Sequence, residues 1–508
     1  MTLLLGLDFG TGGVRVGAFD LERRTMLAER EARYGASYPH PGWAEQSPLD
    51  WWKALGEATR SLMRDLGSPH VDGVCAATTA STVVVCKRDG APLRPALLWM
   101  DCRAAEEAER TARSRHAVMS YSGGGDAAEW LVPKAMWLAG HEPEAYASAE
   151  IICECLDYVN FRLTGRWVAS RMNATCKWNY DSAAGRFVEE LYAEFGVPDL
   201  ASKLPPNIFP VGAPIERLTA EAAEHLGILN RPVLAQGGVD AHIGMVGADT
   251  IEPGELLMIC GTSVVQLFQL AQEAPVDGFW GPYPHALVNG RWLVEAGQVS
   301  AGSVLSWVSS DMFGLDEAGL EALWRKAEAL PVGGAGLLSL DYFMGNRTPY
   351  RDARLRGAFL GLSLGHDRAA LYRAAVDGVA LATANVLRRM GELGVVCRRV
   401  VSSGGYARNP VWLKATVDAM GLPVQLLPDT NLTILGAVAC AANAAGFTAD
   451  LYEAAKAVAQ PALVVEPDPE AHQRYRELLA DYLEATELLT PLLHRLAERQ
   501  LTEARRAR

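Results

Sequence analysis

"LLLGLDFGTGGVRVGAFD", residues 3–20, sets a glycine-rich turn between two apolar runs. Leu3 to Leu7 read as a buried strand with Asp8 at its end, and Gly10, Gly12 and Gly13 permit a tight turn with close backbone approach. Beyond the turn, Val14, Val16 and Ala18 alternate with Arg15, Gly17 and Phe19, the period of a second strand. A dinucleotide fingerprint needs strand, turn and helix, with a third glycine where Arg15 stands, so the context excludes it. Two readings remain for this turn: a hairpin that cradles phosphate, or an ordinary hairpin with a glycine tip.

The design recurs about half the chain later. In "GELLMICGTSVVQLFQL", from Gly254, an apolar strand (Leu256 to Cys260) runs into Gly261-Thr262-Ser263 and a further apolar run follows. Two such hairpins, each opening one half, suit a duplicated two-domain architecture. Ahead of the second lies "RPVLAQGGVDAHIGMVGAD", read as a strand over Val233 to Gln236, a Gly237-Gly238 turn, and Asp240 as N-cap of a helix over Ala241 to Ala248. The polar stretch Ala248 to Pro253 separates the halves, giving domains 1–248 and 249–508. Strands at Val83 to Cys86 and Ile151 to Ile152 alternate with helices over Trp51 to Leu66 and Ala104 to His116. The second half predicts helices over Asp316 to Leu330, Arg368 to Leu393 and Trp412 to Met420, and a charged helical tail from Pro469. This alternation is that of an α/β protein.

Composition narrows the function classes. At 49% hydrophobic and 21% charged residues, the chain reads as soluble and globular, and 508 residues exceed what one core serves. A net charge of −13 argues against a nucleic-acid surface or a polybasic membrane anchor, but local amides and a metal can outweigh that field for ATP. Nine scattered cysteines lack framework spacing and read as reduced thiols. The C-x-C pair Cys153 and Cys155 has no second pair to complete a zinc site. No basic leader or membrane-length apolar run is present, so a cytoplasmic location is expected.

Phosphoryl transfer needs amide donors for phosphates, carboxylates for Mg²⁺ and a base near the acceptor hydroxyl. No Walker A sequence occurs, but the amides of the two hairpins with the Thr11, Thr262 and Ser263 hydroxyls can surround a triphosphate. Asp8 can hold Mg²⁺, or can simply initiate a turn. Asp240, at a strand-to-helix junction, can serve as general base, or only as a cap. In "LLWMDCRAAEEAER", Asp101 and Arg103 can grip neighbouring hydroxyls or form a surface ion pair. In "GGGDAAEWLVPKAMWLAG", Glu129 with Trp130 can contact a sugar, or be a loop carboxylate beside a core ring, and Pro133 is expected to open the next helix. "VVSSGGYARNPVW" supplies a third turn, Gly404-Gly405, that can receive adenosine or be a plain connection. "NLTILGAVACAA" reads as a small-residue core helix.

Taken in order, "GLDFGTGGVR", "LLWMDCRAAEE", "QGGVDAHIGMVGA", "CGTSVV", "GNRTP" and "SSGGYARNP" resemble the FGGY carbohydrate kinases of the actin-like ATPase superfamily, over roughly residues 3–480. The resemblance implies two ribonuclease H-like α/β domains closing over a cleft, with sugar bound mainly by the first and ATP by the second. It implies Asp240 as catalytic base and Asp8 at the metal and γ-phosphate. It places Gly10 to Gly12 and Gly261 to Ser263 at phosphates, Gly404, Gly405 and Asn409 near adenosine, and Asp101 and Glu129 at the sugar. "DAHIG", "EW" at Glu129-Trp130, "EAGQ" at Glu295 to Gln298 and "GNRTP" look ribulokinase-like, while "WMDCR" is similar to both ribulose and xylulose kinases. Ala77 to Val85 lacks the glutamine-histidine pair typical of xylulokinases. The expected substrate is therefore a ketopentose, ribulose before xylulose, with an alditol or aldonate kinase and a non-enzymatic actin-like switch as rivals. The expected partners are the sugar and ATP with Mg²⁺, with a homodimer allowed.

Overall fold

A computed structural model of the protein describes residues 1–334, 336–427 and 430–506. The opening strand β1 (Leu3–Phe9) is buried at every residue, as a strand covered on both faces must be. It pairs antiparallel with β2 (Gly13–Asp20), which pairs antiparallel with β3 (Thr25–Arg33). On its other side β1 runs parallel to β4 (Gly73–Thr78), and β5 (Pro214–Arg217) and β6 (Val233–Ala235) complete a sheet of order β5-β6-β4-β1-β2-β3.

The second half repeats this plan. Its sheet has the order β9-β10-β8-β7-β11-β12-β13, from β7 (Glu255–Cys260), β8 (Val264–Leu270), β9 (Trp280–Pro284), β10 (Trp292–Gln298), β11 (Arg399–Ser403), β12 (Val424–Leu426) and β13 (Leu463–Val465). As β1 does, β7 pairs antiparallel with the strand after its hairpin and parallel with its other neighbour, and the next two pairings are again parallel then antiparallel. Six strands thus match in order and direction, with β9 added at one edge. The chain is two ribonuclease H-like α/β halves of the actin-like ATPase class, as the family resemblance implies, and the duplication is that expected from the paired Gly-Thr hairpins.

In the first half, α1 (Pro48–Asp65) covers β2 and β3. The halves are joined where α2 (Asp240–Gly247) packs on α5 (Leu432–Ala444), while α3 (Arg368–Glu392) and α4 (Pro410–Met420) cover the second sheet. A Cβ at Gly436 would lie 2.0 Å from the Ile243 carbonyl, and one at Gly247 2.1 Å from that of Leu432. Only glycine allows these backbones to approach so closely. The α5 helix, although late in sequence, lies against β1 and β4 of the first sheet. The long α6 (Pro469–Arg506) docks on the second half, with buried Tyr475 and Tyr482 donating to Asp377 (2.6 Å) and Asp341 (2.7 Å).

Local expectations needed adjustment at three places. Val239, with extended backbone, is the cap of α2, so Asp240 is its first helical residue and its carboxylate accepts the N–H of Ala241 (2.7 Å). The helix expected over Ala104 to His116 spans Ala105–Thr111, and a 3₁₀ turn (Ala117–Ser120), capped by the His116 side chain, follows. The helix after Trp130 begins at Leu131, so Pro133 sits within its first turn, where a missing N–H leaves no bond unmade. Val83–Cys86 and Ile151–Glu154 are strands, but of a separate four-stranded antiparallel sheet. No helix among the described residues is long and apolar enough to cross a membrane.

Candidate functional site

The two Gly-Thr hairpins are braced in the same way. In the first, Gly10 N–H closes on the Gly13 carbonyl (3.0 Å), and Tyr34 Oη donates to the carbonyls of Gly10 (2.6 Å) and Gly13 (3.0 Å). Gln46 Nε2 donates to the Thr11 carbonyl (2.7 Å), and Trp51 orients that amide through Nε1 (3.1 Å). In the second, Gly261 N–H closes on Ser263 (2.9 Å). The Thr262 carbonyl accepts from Ala301 (3.0 Å) and Ser303 (3.1 Å), and that of Gly261 from Gly302 (3.1 Å). Carbonyls on both loops are therefore tied back into the protein. The N–H groups of Thr11, Gly12, Thr262 and Ser263 carry no hydrogen bond among the described residues. Free amides on carbonyl-pinned turns are the donor set an anion needs. A Cβ at Gly12 would meet nothing within 4 Å, so the first tip also has open space before it.

The third turn abuts the second hairpin. Gly404 has φ +112°, and a Cβ there would lie 2.3 Å from the Cys260 carbonyl at the end of β7. Asn409, expected beside adenosine, is buried, caps α4 through Trp412 N–H (3.2 Å) and donates to Tyr372 Oη (2.9 Å). Its Oδ1 and one Nδ2 hydrogen are engaged, so in this structure it holds the turn in place.

Three carboxylates converge between the halves. Asp8, at the end of β1, accepts from Arg15 and Asn431 on the same oxygen (3.3 Å each), and burial raises its pKa. Its Oδ1 has no partner among the described residues. Asp240 is partly open, and burial foremost, then Asp8 and Glu295, push its pKa up to about 7. Glu295, on β10, would be raised by burial, yet Lys177, His242 and Arg347 together hold it well below the usual carboxylate range. Lys177 Nζ lies 3.4 Å from Glu295 and 4.7 Å from the Trp130 ring centre, and His242 Nε2 is 3.5 Å from Glu295. A line of polar groups thus crosses from Trp130 and half-buried Glu129 in the first half to Glu295 in the second. Thr433 Oγ1 donates to the Asp240 carbonyl (3.2 Å), fixing the start of α2.

Asp101 and Arg103, expected to grip neighbouring hydroxyls, bond each other in this structure. Neither is exposed: Arg103 donates to both Asp101 oxygens (2.9 and 2.7 Å) and to Glu45 (2.8 Å), with its guanidinium 3.7 Å from the Trp43 ring centre. Ala44 N–H takes the remaining acceptor position on Asp101 Oδ2 (2.6 Å). The pair is a buried brace rather than a surface ion pair. Lys134, fully buried beside it, donates to the carbonyls of Ser81 (2.8 Å) and Leu98 (2.6 Å), and burial pushes its pKa down to about 7.

In the sequence, Glu295 and His242 stand only inside the ribulokinase-like "EAGQ" and "DAHIG", without a role, although Glu295 is the one charge in the strand "WLVEAGQ"; Lys177, Asn431 and Thr433 gave no local signal. Asn431 and Thr433 open α5, the expected small-residue core helix, which is both core and a support of the site. All nine cysteines are free, and no three potential ligands cluster for a metal among the described residues.

Both halves of the chain resemble known proteins. The N-terminal domain of the FGGY family of carbohydrate kinases matches residues 3–247, and its C-terminal domain matches residues 256–445. An FGGY carbohydrate kinase domain-containing protein of Homo sapiens is 29% identical, over 95% of this chain and 96% of that protein. A ribulokinase of Shouchella clausii is also 29% identical, over 94% of this chain and 93% of its own. The crystal structure of xylulose kinase from Rhodospirillum rubrum superposes with a TM-score of 0.88 at 28% identity, covering 97% of this chain and 100% of that one.

Proposed function

Because the chain belongs to the FGGY family of carbohydrate kinases, we propose that it transfers the γ-phosphoryl group of ATP to a terminal primary hydroxyl of a ketopentose, ribulose before xylulose. Residues 1–248 hold the sugar and residues 249–508 hold most of the ATP. The observation that carries this reading is Asp240, with its pKa raised to about 7 between Asp8 and Glu295, at the start of α2 and beside two hairpins with free amides. The likeness to proteins named ribulokinase and xylulose kinase supports the sugar class.

The acceptor hydroxyl lies at the Asp240 oxygen not engaged by Ala241. Its proton passes to that carboxylate as its oxygen attacks the γ-phosphorus and the bond to the β,γ-bridging oxygen breaks. Amides of Thr11, Gly12, Thr262 and Ser263 hold phosphate oxygens, and the Gly404-Gly405 turn receives the adenosine. Glu295 and Glu129 accept from sugar hydroxyls, Lys177 donates to one, and the Trp130 ring covers a sugar face. Asp8 fits Mg²⁺: its free Oδ1 is one carboxylate ligand at a site without a protein cage, and Mg²⁺ favours one or two carboxylates with phosphate and water. When bound there, the ion offsets phosphate charge. Closure of the halves excludes water and limits idle ATP hydrolysis.

The test is ADP release with D- and L-ribulose, D- and L-xylulose, erythritol, glycerol and an aldonate, with Asp240→Asn as the blank. Release confined to one or both pentuloses is expected. Release with an alditol or aldonate alone would move the substrate class. Release with none, or full activity in the variant, would overturn the proposed reaction.

A further inference from the structure

The loop Tyr121–Asp126 of the first half takes no part in the chemistry above, yet three consecutive carbonyls on it are bound by the second half. Gly281 N–H donates to Tyr121 (2.9 Å), Arg351 Nη2 to Ser122 (3.1 Å) and Arg351 Nη1 to Gly123 (3.0 Å). A planar guanidinium meets two adjacent carbonyls in a fixed fork, one nitrogen to each.

Both sides are shaped for this contact. Gly123 has φ +70°, and a Cβ there would stand 1.6 Å from Arg351 Nη1, so a side chain would evict the guanidinium. Arg351 itself has φ +51°, a region that residues other than glycine seldom occupy. Around it, Asn346 and Asp352 exchange backbone hydrogen bonds (2.8 and 2.9 Å), and Asn346 Oδ1 accepts from Tyr350 N–H (2.9 Å). This tight turn is what "GNRTPYRD" builds. The arginine also lies over Trp280, 6.0 Å from the ring centre.

The clamped loop leads to the sugar side of the site. Buried Asp126 accepts from Asn179 Nδ2 (3.1 Å), and its N–H donates to Thr111 Oγ1 (3.0 Å). Asn179 is two residues beyond Lys177, and Glu129 and Trp130 follow Asp126 by three and four residues. We infer that Arg351 is a positioning residue for sugar binding: it clamps the Tyr121–Asp126 loop across the two halves and so sets the Glu129–Trp130–Lys177 wall at the spacing seen here. The inference rests on the reading of that wall as the sugar side.

The test compares wild type with Arg351→Ala, Arg351→Lys and Gly123→Ala. Losing both charge-assisted bonds is expected to raise the sugar KM about tenfold in Arg351→Ala, with the ATP KM within about twofold. Arg351→Lys should recover part of that loss. Hydrogen exchange of the ligand-free protein reads the clamp without any turnover: residues 119–130 should exchange faster in Arg351→Ala and Gly123→Ala, while residues 3–9 stay as in wild type. Unchanged exchange at 119–130, an unchanged sugar KM, or sugar and ATP KM rising together with exchange throughout the chain would each overturn the inference. If wild type phosphorylates no sugar, the proposed reaction falls, and the exchange measurement still decides the clamp.

Discussion

Asparagine at position 240 removes a carboxylate that the folded protein holds against its preference. Burial above all pushes the Asp240 carboxyl up to about 7, about three pH units above an ordinary aspartate. At about 1.4 kcal/mol per unit, the ceiling on this penalty is about 4 kcal/mol. Because the group is partly open to water, a gain of about 1–2 kcal/mol is expected on removing its charge. The sign follows from proton counting. Below pH about 4 both folded and unfolded chains hold the proton, and the aspartate costs nothing. Between pH about 4 and 7 the unfolded chain ionises first, and above 7 the full penalty is present. Asp240→Asn should therefore melt roughly 2–6 °C above wild type at pH 8, with a smaller difference at pH 5 and none near pH 4. Thermal scans of ligand-free protein across that range are the assay. The same variant should lose about 10²–10⁴ in kcat. A variant less stable than wild type at pH 8, or more stable by the same amount at every pH, would refute this account of Asp240.

Other substitutions test the surrounding parts. Lys177→Met leaves Glu295 with weaker support, so the sugar KM should rise about tenfold and the Glu295 pKa should climb, read by the acid limb of kcat/KM. Gly404→Ala forces a Cβ into the Cys260 carbonyl at a positive φ, and should weaken ATP binding by about tenfold or more in calorimetry. Tyr34→Phe frees two hairpin carbonyls, and about 1–2 kcal/mol of lost ATP affinity is expected with the sugar KM unchanged.

Local chemistry made the hairpins legible in the sequence: glycine and threonine between two strand-period runs fold the same way wherever they occur, and the repeat announced the duplicated sheet. Asp8 and Asp240 were legible because each sits where a strand gives way to a turn or helix. What sequence order hides is contact across the halves. Glu295 meets Lys177 and His242 only after both sheets form, and Asn431 reaches Asp8 across more than four hundred residues. Asp101 and Arg103 look like open polar groups in the chain, and only the packing of Trp43, Ala44 and Glu45 over them turns them into a buried brace.

The most direct test follows phosphorus itself. With ATP, Mg²⁺ and the pentulose that releases most ADP, ³¹P NMR should show a new sugar monophosphate ester with wild-type protein. Asp240→Asn, shown by calorimetry to bind both substrates, should form it at least about a hundredfold more slowly. Ester formed by the variant at the wild-type rate, or ADP and inorganic phosphate without any ester from wild type, would contradict a sugar kinase that uses Asp240 as its base.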